Sequence, residues 1–151
     1  MRIADSMIKP RRERAAAGAE IGEHLVAVLR HRAEHLATRR IFTFLRDGEH
    51  DALAITYAEL DERARAIAAV LAGSGLRAGD RALLIYAPGL DYIAGLFGCL
   101  YAGVVAVPAY PPELTRIERT LPRLLSIVAG SGAAVALTSH DILPFAESMS
   151  R

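Results

Sequence analysis

The stretch from Tyr86 to Pro112, YAPGLDYIAGLFGCLYAGVVAVPAYPP, decides how this chain is read. Its first residues close an apolar run that starts at Arg81, and Pro88-Gly89 then turns the chain. Asp91 follows, an acid placed for the positive end of a helix dipole, and the apolar residues up to Ala102 are spaced for a buried helix. Gly103 stops that helix, and Val104 to Val107 is a short β-branched run that fits a buried strand. From Tyr92 to Ala109 there are 18 residues without a charged side chain, close to the lower limit for a membrane span. Gly95, Gly98, Gly103 and Pro108 interrupt that run, so the pattern predicts a helix followed by a parallel strand and no membrane span.

The same alternation continues on both sides. Ile21, Leu25, Val28, Leu29, Arg32 and Leu36 follow helical spacing and predict an amphipathic helix over Ala19 to Ala37. Ile41 to Leu45 alternates as a strand, Asp47-Gly48 signals a hairpin turn, and Leu53 to Thr56 is the returning strand. Thr56-Tyr57-Ala58-Glu59 fits a capping box that opens a helix buried through Leu60, Ala64, Ile67, Ala68 and Leu71. Gly73-Ser74-Gly75 closes it with a left-handed cap. Arg81 to Ala87 is a buried strand. After Pro108, Pro111 and Pro112 come a helix near Leu121 to Ala129, a strand over Ala133 to Thr138 and a last helix from Ser139.

Strands alternating with helices argue for right-handed βαβ units. The expected fold is therefore α/β: a partial parallel sheet with flanking helices and a short β-hairpin. Residues 1–18 read as a disordered basic arm and 19–151 as one incomplete domain. Leu84, Ile85, Leu96, Phe97, Val105 and Val107 are expected in the core. A sheet that stops after its first strands leaves an open edge, so possible self-association is expected too.

Composition narrows the function classes. The chain has 151 residues with a net charge of +1, which gives no general electrostatic case for nucleic acid or lipid partners. Arg2, Lys9, Arg11, Arg12 and Arg14 gather in the N-terminal arm, a solvated segment or a docking tail. Cys99 is the single cysteine, set in an apolar helix, so there is no disulfide framework or cysteine zinc site, and it reads as a small buried hydrophobe. No apolar leader stands at Met1 to Arg14, and a cytoplasmic location is expected. Lys9 is the sole lysine among 18 basic residues.

Familiar nucleotide motifs fail on context. Gly73-Ser74-Gly75-Leu76-Arg77-Ala78 matches G-x-G-x-x-[G/A], but it closes a helix and precedes a strand, the reverse of what pyrophosphate binding needs. No phosphate loop ending in Gly-Lys-[Ser/Thr] and no G-x-S-x-G elbow exist. His24, His31 and His35 share a helix face without an acidic cluster to complete a metal site, and His50 and His140 stand apart. Pro88-Gly89 and Tyr110-Pro111-Pro112 leave two strands at the same sheet edge, where open α/β sheets collect ligands. Pro88, Gly89, Tyr110 and Pro111 are thus candidate substrate-pocket walls, or merely stiff turns; no catalytic, cofactor-binding or metal-ligating residue is named.

Several segments, in order and spacing, resemble the fatty acyl-AMP ligases of the adenylate-forming superfamily, in the N-terminal portion only. They are Phe42-Thr43-Phe44-Leu45, Thr56-Tyr57-Ala58-Glu59-Leu60-Asp61, Arg63-Ala64-Arg65-Ala66-Ile67-Ala68, Gly79-Asp80-Arg81-Ala82 and Gly89-Leu90-Asp91-Tyr92. Gly98-Cys99-Leu100-Tyr101-Ala102-Gly103, Val107-Pro108-Ala109-Tyr110-Pro111-Pro112, Leu121-Pro122-Arg123-Leu124 and Leu137-Thr138 complete the likeness, which runs from Leu25 to Leu143. Thr56-Tyr57 with Glu59-Leu60 would suit acyl-CoA synthetases and peptide-synthetase adenylation domains equally. The Gly98 to Pro112 run is more particular to the AMP-ligase branch.

The resemblance implies the start of the large N-terminal domain of adenylate-forming enzymes. It further implies activation of a fatty acid by ATP and magnesium to acyl-AMP and pyrophosphate, with transfer to an acyl carrier protein. The remainder of the ligase domain is an implied partner. The family's phosphate loop, ribose-binding acid and catalytic lysine have no matching positions here, so the chain alone is expected to be inactive. A non-catalytic interaction module with the ligase N-terminal fold is the other reading.

Overall fold

The computed structural model describes residues 24–142; the basic arm, the Ala19 to Glu23 part of the first predicted helix, and the last predicted helix beyond Ile142 lie outside that range. The elements are α1 (Leu25–His35), β1 (Arg40–Leu45), β2 (Ala52–Thr56), α2 (Tyr57–Gly73), β3 (Arg81–Ile85), α3 (Leu90–Ala102), β4 (Val105–Ala109), a 3-10 turn (Leu114–Arg116), α4 (Ile117–Ser131) and β5 (Val135–Thr138). β1 and β2 form an antiparallel hairpin, and the other strands form a parallel sheet in the order β4-β3-β5. The expected α/β architecture is the one observed.

Local chemistry explains the boundaries. The Thr56 hydroxyl accepts from the Glu59 amide at 3.3 Å while the Glu59 carboxylate accepts from the Thr56 amide at 2.8 Å, so the capping box is complete. At the other end of α2 the Leu76 amide reaches the Leu71 carbonyl and Gly75 takes φ +85°, the left-handed closure expected of Gly73-Ser74-Gly75. The glycine pattern there ends a helix and leads to β3. The hairpin departs from a tight two-residue turn: the Arg46 amide pairs with the Asp51 carbonyl. One Asp47 carboxylate oxygen accepts the amides of Glu49, His50 and Asp51, each at 2.9 Å. These bonds hold the Asp47 carboxyl below its ordinary pKa, and the Asp-Gly pair organises a longer loop.

α3 is the centre of the fold. On one side it packs against β3, where Leu84, Ala82 and Tyr86 meet Cys99 and Leu71. On its other side Ala94 joins Leu29 of α1, Ile55 of β2 and Leu60 of α2. The opposite sheet face, Leu83, Ile85 and Ala109, is covered by Leu124 of α4. Of the expected core, Leu84 and Ile85 are buried, and Leu96, Phe97 and Val107 are half-buried.

Val105 corrects the expectation: it is 48% exposed. It opens an edge strand opposite exposed Arg81, where the sheet extends past its cover. α4 also starts at Ile117, one turn before the predicted Leu121, with Pro122 inside it. Tyr92 to Ala109 is a helix, a left-handed Gly103 and a strand, and no helix among the described residues is long and apolar enough to cross a membrane.

Candidate functional site

The parallel strands β3 and β4 end side by side, Ile85 opposite Ala109, so their exits open on one edge of the sheet. The hairpin lies against the same edge. Together they enclose a hollow of about 470 Å³, lined by Phe42, Thr43 and Phe44 of β1, Tyr86 to Gly89, Leu90, Tyr92 and Ile93 of α3, and Pro108 to Tyr110. Three of the four sequence candidates, Pro88, Gly89 and Tyr110, line it; Pro111 lies just beyond the lining residues. Five of the chain's nine aromatic side chains meet there.

The lining contains no Asp, Glu, His, Lys or Arg. Such a wall suits an apolar body and offers a carboxylate or phosphate no charged partner. The volume falls within the usual range for small-ligand sites. Tyr110, 78% exposed, stands at the mouth. Tyr86 belongs to the core behind, where burial first, then the nearby Asp91 and Cys99, push its phenol up to about 12. Asp91 itself faces outward and meets Arg63 at 3.4 Å.

The residues here do not fit a triphosphate or a magnesium ion: the hollow lacks charged donors, and among the described residues no group of three or more His, Cys, Asp or Glu could hold a metal. His24 instead caps α1 by accepting from the Ala27 amide at 3.2 Å, and His31 stacks on His35 with centroids 4.2 Å apart. The hairpin aromatics were not among the sequence candidates. Their signal was the alternation Phe42-Thr43-Phe44, which places both rings on one side of a strand.

Known structures place this arrangement in a class. The fatty acyl-adenylate ligase of L. pneumophila, solved with acyl adenylate and pyrophosphate, superposes with a TM-score of 0.72 at 41% identity over 79% of this chain and 20% of its own. The fold is therefore that of the adenylate-forming ligases. A family model described as "AMP-binding enzyme" matches residues 29–150, and the chain belongs to that family.

Among sequence relatives, the medium-chain-fatty-acid–[acyl-carrier-protein] ligase JamA of Moorena producens (strain JHB) is 49% identical over 117 residues, covering 78% of this chain and 20% of the relative. Disco-interacting protein 2 homolog B of Homo sapiens is 32% identical over 93% of this chain and 10% of its own length. The chain thus spans a fifth or less of the relatives it matches, and it resembles the N-terminal part of fatty acyl-AMP ligases.

Proposed function

We propose that this chain is the N-terminal part of a fatty acyl-AMP ligase. Such an enzyme uses ATP to convert a fatty acid to acyl-adenylate with loss of pyrophosphate, then passes the acyl group to a carrier protein. The observation that carries the reading is the 49% identity to a ligase named for a medium-chain fatty acid and an acyl carrier protein. In this reading the aromatic hollow receives part of the fatty tail. Pro88, Gly89 and Tyr110 form its wall, and Pro111 stiffens the exit from Tyr110. Adenylate chemistry needs fixed positive charge at the phosphates, and the hollow supplies none. The 151-residue chain by itself accordingly makes no acyl-adenylate.

Two measurements on the purified chain test this. Incubation with ATP, magnesium and decanoate should give no acyl-adenylate above background; turnover that survives removal of contaminants would refute inactivity. Titration with decanoate, followed by NMR shifts of the hollow, should show binding that Phe44→Ala weakens by about tenfold, the worth of part of an aromatic contact. Binding that is absent, or indifferent to Phe44→Ala and Tyr110→Ala alike, would remove the fatty tail from this hollow.

A second reading is a non-catalytic interaction module. It is favoured by the match that covers 93% of this chain in a protein named for an interacting partner. Failure of decanoate binding in a folded chain would make it the better reading.

A further inference from the structure

Tyr86 stands between the packed core and the hollow. On one side it belongs to the cluster of Leu71, Ala82, Leu84, Cys99 and Val104, in which none of those five is more than 4% exposed. On the other it lines the hollow of about 470 Å³. Gly95 of α3 leaves the space in which the Tyr86 ring lies. A Cβ built on Gly95 would fall 2.9 Å from Tyr86 Cε2, 3.2 Å from the Tyr86 hydroxyl oxygen and 2.9 Å from Leu84 Cδ2. Gly95 lies in the interior of α3, where glycine weakens a helix and any other residue would serve the backbone better. What the position requires of it is room.

The two neighbours of that missing side chain differ in where they could go. Leu84 is fully buried among close-packed residues and has no free volume behind it. The Tyr86 ring is the far end of a side chain, and the free volume next to it is the hollow. We propose that Gly95 is a positioning residue for the hollow: by leaving room for the Tyr86 ring against α3, it keeps the ring out of the cavity and sets how long an apolar chain the cavity admits. The role rests on the reading of the hollow as the place of the fatty tail. The lining has no charged side chain, so apolar length is what such a wall can discriminate. Each methylene that finds a wall should gain about fourfold in affinity, and the gain should stop where the chain meets Tyr86.

The test is an NMR titration of the full 151-residue chain with saturated fatty acids from hexanoate to tetradecanoate, lengthened one methylene at a time. Affinity should climb and then level off. Gly95→Ala should bring the plateau at least one methylene earlier, with about a fourfold loss for acids longer than that. Gly98→Ala overpacks the same helix against Ile67 instead and should leave the plateau where it is. Adding Tyr86→Leu to Gly95→Ala should move the plateau back to the parental length or beyond. Tyr86→Leu alone, which overpacks nothing, should move it to longer acids, and this holds even where Gly95→Ala does not fold. A plateau unmoved by Gly95→Ala, moved equally by Gly98→Ala, or unmoved in a folded Tyr86→Leu chain would overturn the proposal and leave the fatty tail in the hollow. A parent chain that binds none of the acids would remove the tail from the hollow and this role with it.

Discussion

Gly98 of α3 lies directly against Ile67 of α2: a Cβ built on Gly98 would sit 2.6 Å from the Ile67 Cβ. No real Cβ tolerates that approach, so the absence of a side chain at 98 sets how closely the two helices cross. Gly95, one turn earlier, does the same against the sheet, where a Cβ would fall 2.9 Å from Leu84 and Tyr86. Two of the glycines that interrupt the apolar run Tyr92 to Ala109, Gly95 and Gly98, are therefore packing surfaces of a central helix, and Gly103 is its left-handed stop.

Gly98→Ala should overpack this crossing and cost about 1–3 kcal/mol, read as a lower denaturant midpoint with unchanged slope. Shortening the neighbour should recover part of the loss, so Gly98→Ala with Ile67→Ala should be less destabilised than the sum of the single changes. Strict additivity would mean that Ile67 is not what Gly98 accommodates.

Thr56 joins the hairpin to α2 and caps it, so Thr56→Ala should cost about 1 kcal/mol, whereas Thr56→Ser should cost little. The Glu59 carboxyl is held below its ordinary value by the Thr56 amide first and the Thr56 hydroxyl second. A depressed acid stabilises above its unfolded pKa and loses that contribution as pH falls. Thr56→Ala keeps the amide and removes only the hydroxyl, so the test is Glu59→Gln. Equal acid sensitivity in the parent and Glu59→Gln chains, compared by urea melts from pH 7 to 3, would separate Glu59 from the cap.

These local features were legible in the sequence because they are short-range: the Thr56–Glu59 box, the Gly73–Gly75 cap, and the helix-to-strand change at Gly103. What escaped was tertiary. Val105 reads as core by type, yet it opens the edge strand of the sheet, and only the strand order β4-β3-β5 reveals that. Likewise Pro88, Gly89 and Tyr110 could be placed at a sheet edge from strand ends alone. Phe42 and Phe44 come from a hairpin whose docking against that edge leaves no mark in spacing. Asp61 was hidden too, an acid on the helix face that packs inward.

Asp61 is only 6% exposed and is held by two partners, the Tyr101 hydroxyl, which donates to it, and Arg65 at 2.6 Å. Tyr101→Phe removes one donor from a buried carboxylate and should cost about 1–3 kcal/mol. Asp61→Asn alone should also destabilise. Paired with Tyr101→Phe it should show a coupling of about 1 kcal/mol or more in a double-mutant cycle. No coupling would mean the Tyr101 hydroxyl and Asp61 act separately.

Alkaline stability follows from the same buried phenols. Burial chiefly, and Asp91 and Cys99 after it, raise Tyr86 from 10.0 to about 12. Burial and then the bond to Asp61 also raise Tyr101, against a smaller opposing effect of Arg65 and Arg30. Burial likewise raises the Cys99 thiol above 9.0. In the unfolded chain these groups release protons at their ordinary pH, while the native state still holds them. Above that pH the unfolded state binds fewer protons, so stability falls as pH rises. The urea midpoint should be flat up to about pH 9 and decline beyond it. In a Cys99→Ala background, which removes the thiol, the decline should start near pH 10 and extend toward 12. Tyr86→Phe should then make it shallower, and adding Tyr101→Phe should flatten it further. A decline of undiminished slope in the chain lacking both hydroxyls would show that neither tyrosine is its source.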